Sequence, residues 1–316
     1  MTGKRATATL HTCDGRSIEL PALRAWEIVR TDGESCDAIS LRTARSLDAA
    51  TLQRADRISV RLGGELVFSG LVDEIELSLS DAGTELSIFG RGYGARLTDN
   101  QVPAQTYLRM TTAELVRRYV APYGINAVTA QTAVLPGYFS VACGNTAMQV
   151  VKGFCAHAKL LPPQFDAQGQ LLLRSRRQDS GVRFDQSAVF SAVYRDKRHG
   201  VISSQRLTHV RTGTVLSASY PALTARGGRC ERYGQYSGVT TPASWRNAEQ
   251  RVEDSRSEEY TVELTVADQF PCQPGTTAQV TLPAFGISGE FCVRQVRSVG
   301  SASGCYAEVT LFKGGK

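Results

Sequence analysis

The chain has 316 residues, 42% of them hydrophobic and 21% charged, with a formal net charge of +6. That balance suits about two folded domains and excludes a mainly disordered chain. No stretch approaches the ~20 apolar residues of a bilayer-crossing helix, and Met1-Thr-Gly-Lys-Arg5 opens without an apolar leader core, so the sequence predicts synthesis and folding in a cytoplasm.

In chain order, short segments at Ala6 to His11, Ser17 to Leu20, Trp26 to Arg30 and Cys36 to Arg42 read as strands bounded by Asp-Gly turns. Arg57 to Leu62, the Gly63-Gly64 turn and Glu65 onward form a hairpin. It runs into a half-buried strand whose Leu71, Ile75, Leu77 and Leu79 share one face, with Glu74, Glu76 and Ser78 opposite. The turn at Asp81-Ala-Gly83 returns through Leu86 and Ile88 to Gly90. The period then changes. Thr111-Thr-Ala-Glu114 is a capping-box pattern, followed by Leu115, Tyr119 and Val120 at helical spacing up to Pro122-Tyr-Gly124. A second helix is predicted over 146–159, with Met148, Val151, Phe154 and Cys155 on one stripe, and then a turn and strand over 165–174. Residues 224–241, rich in Gly, Arg and Tyr, predict a long loop or an interaction surface, and 243–258 an exposed helix. Alternation returns at Tyr260, Val262, Leu264 and Val266, and at Ala278, Val280 and Leu282, with last strands from Phe291 and Ala307.

An internal echo organises these elements. Ser69-Gly-Leu-Val-Asp-Glu-Ile75, Asp81-Ala-Gly83 and Leu86-Ser-Ile-Phe-Gly90 are matched by Ser288-Gly-Glu-Phe-Cys-Val-Arg-Gln-Val296, Ala302-Ser-Gly304 and Val309-Thr-Leu-Phe-Lys-Gly314. The separation is 219 at Ser69 and Ser288 and 223 at Phe89 and Phe312, which calls for a small indel. The expected fold is mainly β with an α+β insertion: a first β-barrel over 1–100, a small α+β domain over 101–185, and a second β-barrel over 186–316 carrying the exposed helix and the long loop.

Chemistry-bearing patterns are weak. Eight scattered cysteines, with no Cys-x-x-Cys, read as buried thiols, and Cys155 and His157 face apart on a helix, so neither disulfide nor metal is expected. Glu74 and Glu76 are neighbours on a surface strand with no opposing wall. There is no Gly-x-Ser-x-Gly, and His11, His157, His199 and His209 lack a triad setting. Gly90-Arg-Gly-Tyr-Gly94 lacks the spacing of a dinucleotide loop and reads as backbone freedom at a strand exit. No catalytic, cofactor-binding or metal-binding residue is predicted. Residues 101–200 carry 12 basic against 5 acidic side chains, clustered at Arg174, Arg176, Arg177, Arg183, Arg195, Lys197 and Arg198. With few aromatics among them to stack bases, a solvated or protein-facing surface is favoured over nucleic acid. Arg226, Arg229, Tyr233 and Tyr236 have the composition of a protein interface.

Val67-Phe-Ser-Gly-Leu-Val72, Leu86-Ser-Ile-Phe-Gly-Arg-Gly-Tyr-Gly-Ala-Arg-Leu-Thr-Asp-Asn100, Thr112-Ala-Glu-Leu-Val116, Pro122-Tyr-Gly-Ile125, Gly144-Asn-Thr-Ala-Met-Gln-Val150, Asp166-Ala-Gln-Gly-Gln-Leu171, Pro274-Gly-Thr276 and Gly286-Ile-Ser-Gly-Glu-Phe-Cys-Val293 follow one another over nearly the whole chain. In this order they resemble the baseplate hub proteins of contractile phage tails and phage-tail-like bacteriocins. The sequence departs from that pattern at Gly90-Arg-Gly92, where Gly-Arg-Ser is expected, and in its cysteine count. The resemblance implies a non-enzymatic homotrimer in the baseplate of a virion or tail-like particle. Its six barrels would match a hexameric tail tube to a trimeric spike, with other baseplate proteins and the tape measure as further partners and no cofactor. Two alternatives stay open: a cell-wall-binding or cell-wall-degrading tail protein, for which Tyr233, Tyr236 and Trp245 are candidate contacts, and a tail-tip adaptor of a non-contractile tail.

Overall fold

The computed structural model describes residues 4–44, 47–81, 83–129, 132–237, 248–256 and 259–313. The first part is built from β1 (Ala6–Thr12), β2 (Ser17–Glu19), β3 (Leu23–Thr31), β4 (Ala38–Thr43), the short helix α1 (Ala49–Leu52), β5 (Ala55–Leu62), β6 (Glu65–Ser80) and β7 (Gly83–Gly92). Alternation sets the inner face. Ala8 and Leu10, Trp26 and Ile28, Ile39 and Leu41, Ile58 and Val60, and Leu86 and Ile88 are buried in one apolar cluster. The strands pair antiparallel in the order β2-β1-β5-β6-β7-β4-β3.

The strand β6 departs from simple alternation. The β6/β7 register shifts between Val72 and Glu74, so Asp73 forms a bulge. Phe68 and Gly70 face the core before it, Ile75 packs on the same core after it, and Leu71 lies opposite Arg57 and Arg91 on the other face. Leu71 therefore does not share a face with Ile75, Leu77 and Leu79, as the alternation had suggested. The half-buried strand also ends early. Leu77 is 43% and Leu79 82% exposed, because β7 flanks this end on one side and no described strand flanks it on the other. The glycines after it serve close approach. A Cβ at Gly90 would collide with the Leu71 carbonyl and one at Gly94 with that of Ser35, and Gly94 starts the short helix α2 (Gly94–Asp99), which the sequence reading had not anticipated.

Next come β8 (Gln105–Thr111), α3 (Thr112–Tyr119), β9 (Ala127–Thr129), β10 (Val134–Val141), α4 (Ala147–His157), β11 (Gln164–Phe165) and β12 (Leu171–Leu173). Both helices open on complete capping boxes, Thr111 with Glu114 and Thr146 with Gln149. A 3-10 turn over Ala121–Tyr123 and left-handed Gly124 stop the first. Met148, Val151, Phe154 and Cys155 lie in a second core with Leu115, Tyr119 and Leu171, as their spacing predicts.

The chain then returns to the large sheet through β13 (Asp179–Asp185) and β14 (Val189–Asp196). Before it continues there, β15 (Ser204–His209), β16 (Val215–Ser219), α5 (Pro221–Ala225), β17 (Glu231–Tyr236) and α6 (Ala248–Ser255) form a separate unit with strand order β16-β15-β17. The long loop expected over 224–241 is thus corrected at 231–236, a strand parallel to β15; residues 238–241 lie outside the described residues. The expected helix is present over its 248–255 portion, with 243–247 and 257–258 outside the described residues.

β18 (Tyr260–Val266), β19 (Thr277–Leu282), β20 (Ile287–Ser301) and β21 (Gly304–Phe312) complete the large sheet around a third core that includes Val262, Leu264, Val280, Val293 and Val309. Their order, β13-β19-β20-β21-β18-β14, repeats the earlier β1-β5-β6-β7-β4-β3 strand for strand. Only the first pair differs in sense, β1 with β5 antiparallel and β13 with β19 parallel. Two of the irregularities repeat as well. The β20/β21 bulge between Val293 and Gln295 matches that between Val72 and Glu74, and the β14/β18 shift between Val189 and Ser191 matches the β3/β4 shift between Leu23 and Ala25. Along the long hairpin the bulge and the tip correspond at one constant separation, Val72 to Val293 and Gly83 to Gly304, so no indel is needed. The sequence echo had matched residues two positions away at each end; a shift of two keeps every side chain on its own face, so the pleat pattern could not expose the error.

The two halves are not separate tubes. Residues 295–301 of β20 pair antiparallel with residues 25–31 of β3, giving one 13-stranded sheet. Neither ladder closes on itself among the described residues, so the mainly β architecture expected from the sequence is present as large antiparallel sheets without a closed barrel, each half packing its strands on one apolar core.

Candidate interaction surface

Of the four residues expected at an interface, Arg226 makes its contacts within the chain. It follows α5 and reaches Asp196 at 3.2 Å and the carboxylate of Glu259, with its guanidinium 4.9 Å from the Tyr260 ring centroid. Glu259 is 1% exposed and also faces Arg256 at 3.7 Å, whose guanidinium lies over Tyr220. The Tyr220 hydroxyl donates to Glu259, and burial together with this contact pushes its phenol up. A buried carboxylate between two guanidiniums thus joins the β15–β17 unit to β14 and β18. Sequence reasoning missed Glu259 and Asp196, since no local pattern links positions 196, 226 and 259. Arg229 and Tyr233 come together on Glu231, at 2.9 Å and 3.3 Å, and Tyr233 is 70% exposed. Tyr236 stands apart, edge-on to His209 at 5.0 Å. Trp245 lies outside the described residues.

A second candidate surface is made of strand edges. Beyond the bulge, β6 pairs with β7 through residues 74–80, whereas β5 reaches only to Leu71. β14 is hydrogen-bonded to β18 on one side and, among the described residues, ends the sheet on the other. Both edges carry exposed apolar side chains, Leu77 and Leu79 on β6, Phe190, Val193 and Tyr194 on β14. An unpaired edge leaves backbone N–H and C=O groups without ladder partners and templates the addition of another strand. At the corresponding edge of β20 the requirement is already met by β3. There Arg297 spans three strands, 2.8 Å from Glu27 on β3 and 2.9 Å from Glu308 on β21.

The seam between halves also holds a buried ion pair. Arg30 Nε lies 3.4 Å from Asp37, too long for a good hydrogen bond, and Arg30 Nε and one terminal nitrogen have no hydrogen-bond partner. Desolvation outweighs the guanidinium and holds the Asp37 carboxyl up at about 6. No group of three or more His, Cys, Asp or Glu is placed to hold a metal among the described residues. Cys155, Cys272 and Cys292 are buried, and burial pushes the Cys272 thiol up to about 12. Cys13 and Cys143 are exposed, so the reading of all eight as buried thiols does not hold. Glu74 and Glu76 are solvent-exposed on the β6 edge.

No described family and no curated protein matches the sequence. Solved structures do match the fold. A tail protein from Neisseria meningitidis MC58 superimposes with a TM-score of 0.81 at 17% identity over 98% of this chain and 97% of its own. The 43 kDa tail protein of prophage MuSo2 from Shewanella oneidensis gives 0.77 at 17% identity, covering 97% of this chain and 98% of its own. The E. coli c3393 protein, a component of the type VI secretion system described as similar to T4 tail proteins gp27 and gp5, gives 0.61 at 10% identity over 93% of this chain and 74% of its own. The chain therefore has the fold of phage tail proteins and of a related secretion-system component.

Proposed function

We propose that this protein is a structural hub of a contractile tail baseplate, acting as a homotrimer between a hexameric tail tube and a trimeric spike. The observation that carries this reading is the repeated six-strand order with its repeated bulges. A chain with two equivalent halves needs only three copies to present six similar sheets, so one face can meet sixfold symmetry while the other keeps a true threefold axis. The tail-protein fold of the solved structures supports the same role. In this reading the β15–β17 unit, with Arg229 and Tyr233 at its surface, projects toward other baseplate proteins. Nothing in the chemistry of the described residues calls for a cofactor, and the work is geometric. Cryo-electron microscopy of the parent particle tests it, with density for three copies expected between tube and spike. Any other position overturns the proposal, as does hydrolysis of peptidoglycan by the purified chain.

A further inference from the structure

We infer that the free edge of β6 receives β14 of the next copy as an antiparallel strand, with Glu76 opposite Arg195 and Leu77 opposite Tyr194. The inference rests on the hub reading above and supplies its interface.

The template lies inside the chain. The tip of β20 is paired with β3 from Gln295 opposite Thr31 to Ser301 opposite Ala25. By the repeated strand order and bulges, β20 corresponds to β6 and β3 to β14. Val293 corresponds to Val72 on either side of one bulge, and Ala25 to Ser191 on either side of the other. The seam used once within the chain therefore has an unused counterpart: among the described residues, a β6 tip without a second neighbour and a β14 without a second neighbour. One chain cannot satisfy both, because its β3 is already on β20. A second copy can, and repeating the step carries the sheet around a ring.

Transferring the register places Glu74 opposite Lys197, Glu76 opposite Arg195, Ser78 opposite Val193 and Ser80 opposite Ser191 on one face. On the other, Ile75 meets Asp196, Leu77 meets Tyr194 and Leu79 meets Ala192. Apart from Ile75 opposite Asp196, which is held by Arg226, the charged and large apolar side chains suit one another although the seam within the chain uses different residues. Two carboxylates meet two cations on the outer face. Arg195 already lies 2.9 Å from Glu263 on β18, so Glu76 would complete a three-strand Glu-Arg-Glu row of the kind Arg297 makes with Glu27 and Glu308. On the inner face a large side chain again meets a small one. Trp26 covers Gly300 within the chain, and Leu79, 82% exposed, would cover Ala192 of the next copy. The same pairing would bury Leu77 against Tyr194, which stacks on Tyr260.

The test is a register-specific cross-link in the full-length chain, on a background with the exposed Cys13 and Cys143 replaced by serine. Directly opposed strand residues lie about 4.5–5.5 Å apart at Cα, within disulfide range, whereas a position two residues along lies beyond it. Ser78→Cys combined with Val193→Cys is expected to oxidise to dimers and closed trimers. Ser80→Cys with Val193→Cys is expected to stay uncoupled. Glu76→Arg should slow the first cross-link about tenfold, and adding Arg195→Glu should restore it. Trimers by mass photometry that give no cross-link, or give it in the shifted pair, overturn the strand pairing and leave the hub reading standing. A chain that gives no cross-link at any concentration or in the particle also overturns the pairing. A cross-linked ladder running past three copies keeps the pairing and removes the threefold hub.

Discussion

Trp26 covers the backbone of Gly300, its register partner across β3 and β20, so closely that a Cβ at position 300 would collide with the indole ring. The ring also stacks on Phe270, with centroids 6.1 Å apart. One glycine thus lets the seam between the halves close over an aromatic pair. Gly300→Ala is expected to destabilise the fold by about 1–3 kcal/mol, the usual cost of overpacking. Denaturant midpoints measure it, and a shifted tryptophan emission would locate the change at the seam.

The bulge at Asp73 separates two leucine-class positions that plain alternation would treat alike. Ile75 packs on the first core, and Leu71 lies opposite Arg57 and Arg91. Ile75→Asp should therefore cost about 2–3 kcal/mol by setting a half-buried carboxylate against an apolar cluster. Leu71→Asp, set between two guanidiniums, should change stability by less than about 1 kcal/mol. Equal losses in urea unfolding would contradict the bulged register.

Asp37 gives the fold a definite pH signature. Its carboxyl is raised by burial from 3.8 to about 6. Folding therefore takes up a proton between these values, and the stability this group contributes is fully present below pH 3.8 and is lost as pH rises through 6. Two pKa units correspond to about 3 kcal/mol. Asp37→Asn should remove this falling limb between pH 4 and 6 even though it leaves Arg30 without its counter-charge, and the slope of urea midpoints against pH is the readout.

The helix α4 offers a local and a core contribution to compare. Thr146→Ala removes the side-chain oxygen that caps the Gln149 amide and is expected to cost about 1 kcal/mol. Phe154→Ala empties a fully buried site and is expected to cost about 3–5 kcal/mol. Thermal unfolding of the two variants should rank them in that order.

Much of this protein was set by sequence alone, because local signals are short-ranged. The capping boxes at Thr111 and Thr146 act within one helical turn, and the alternation of Val262, Leu264 and Val266 dictates an inner face whatever strand lies alongside. The long hairpin announced its own repetition in the echo between Ser69 to Gly90 and Ser288 to Gly314. What tertiary structure alone decided concerns register and partner. A two-residue slip leaves every face unchanged, so only the ladders brought Val72 into correspondence with Val293. The bulge at Asp73 is a choice made between strands and reverses the face of Leu71 relative to Ile75. The strand at 231–236 forms because β15 offers an edge, although its own Gly, Arg and Tyr content reads as loop. Arg226, on composition an interface residue, is committed to Glu259 and Asp196, 33 and 30 positions away, because the cost of burying a lone carboxylate is met only by charges that the fold brings in from elsewhere in the chain.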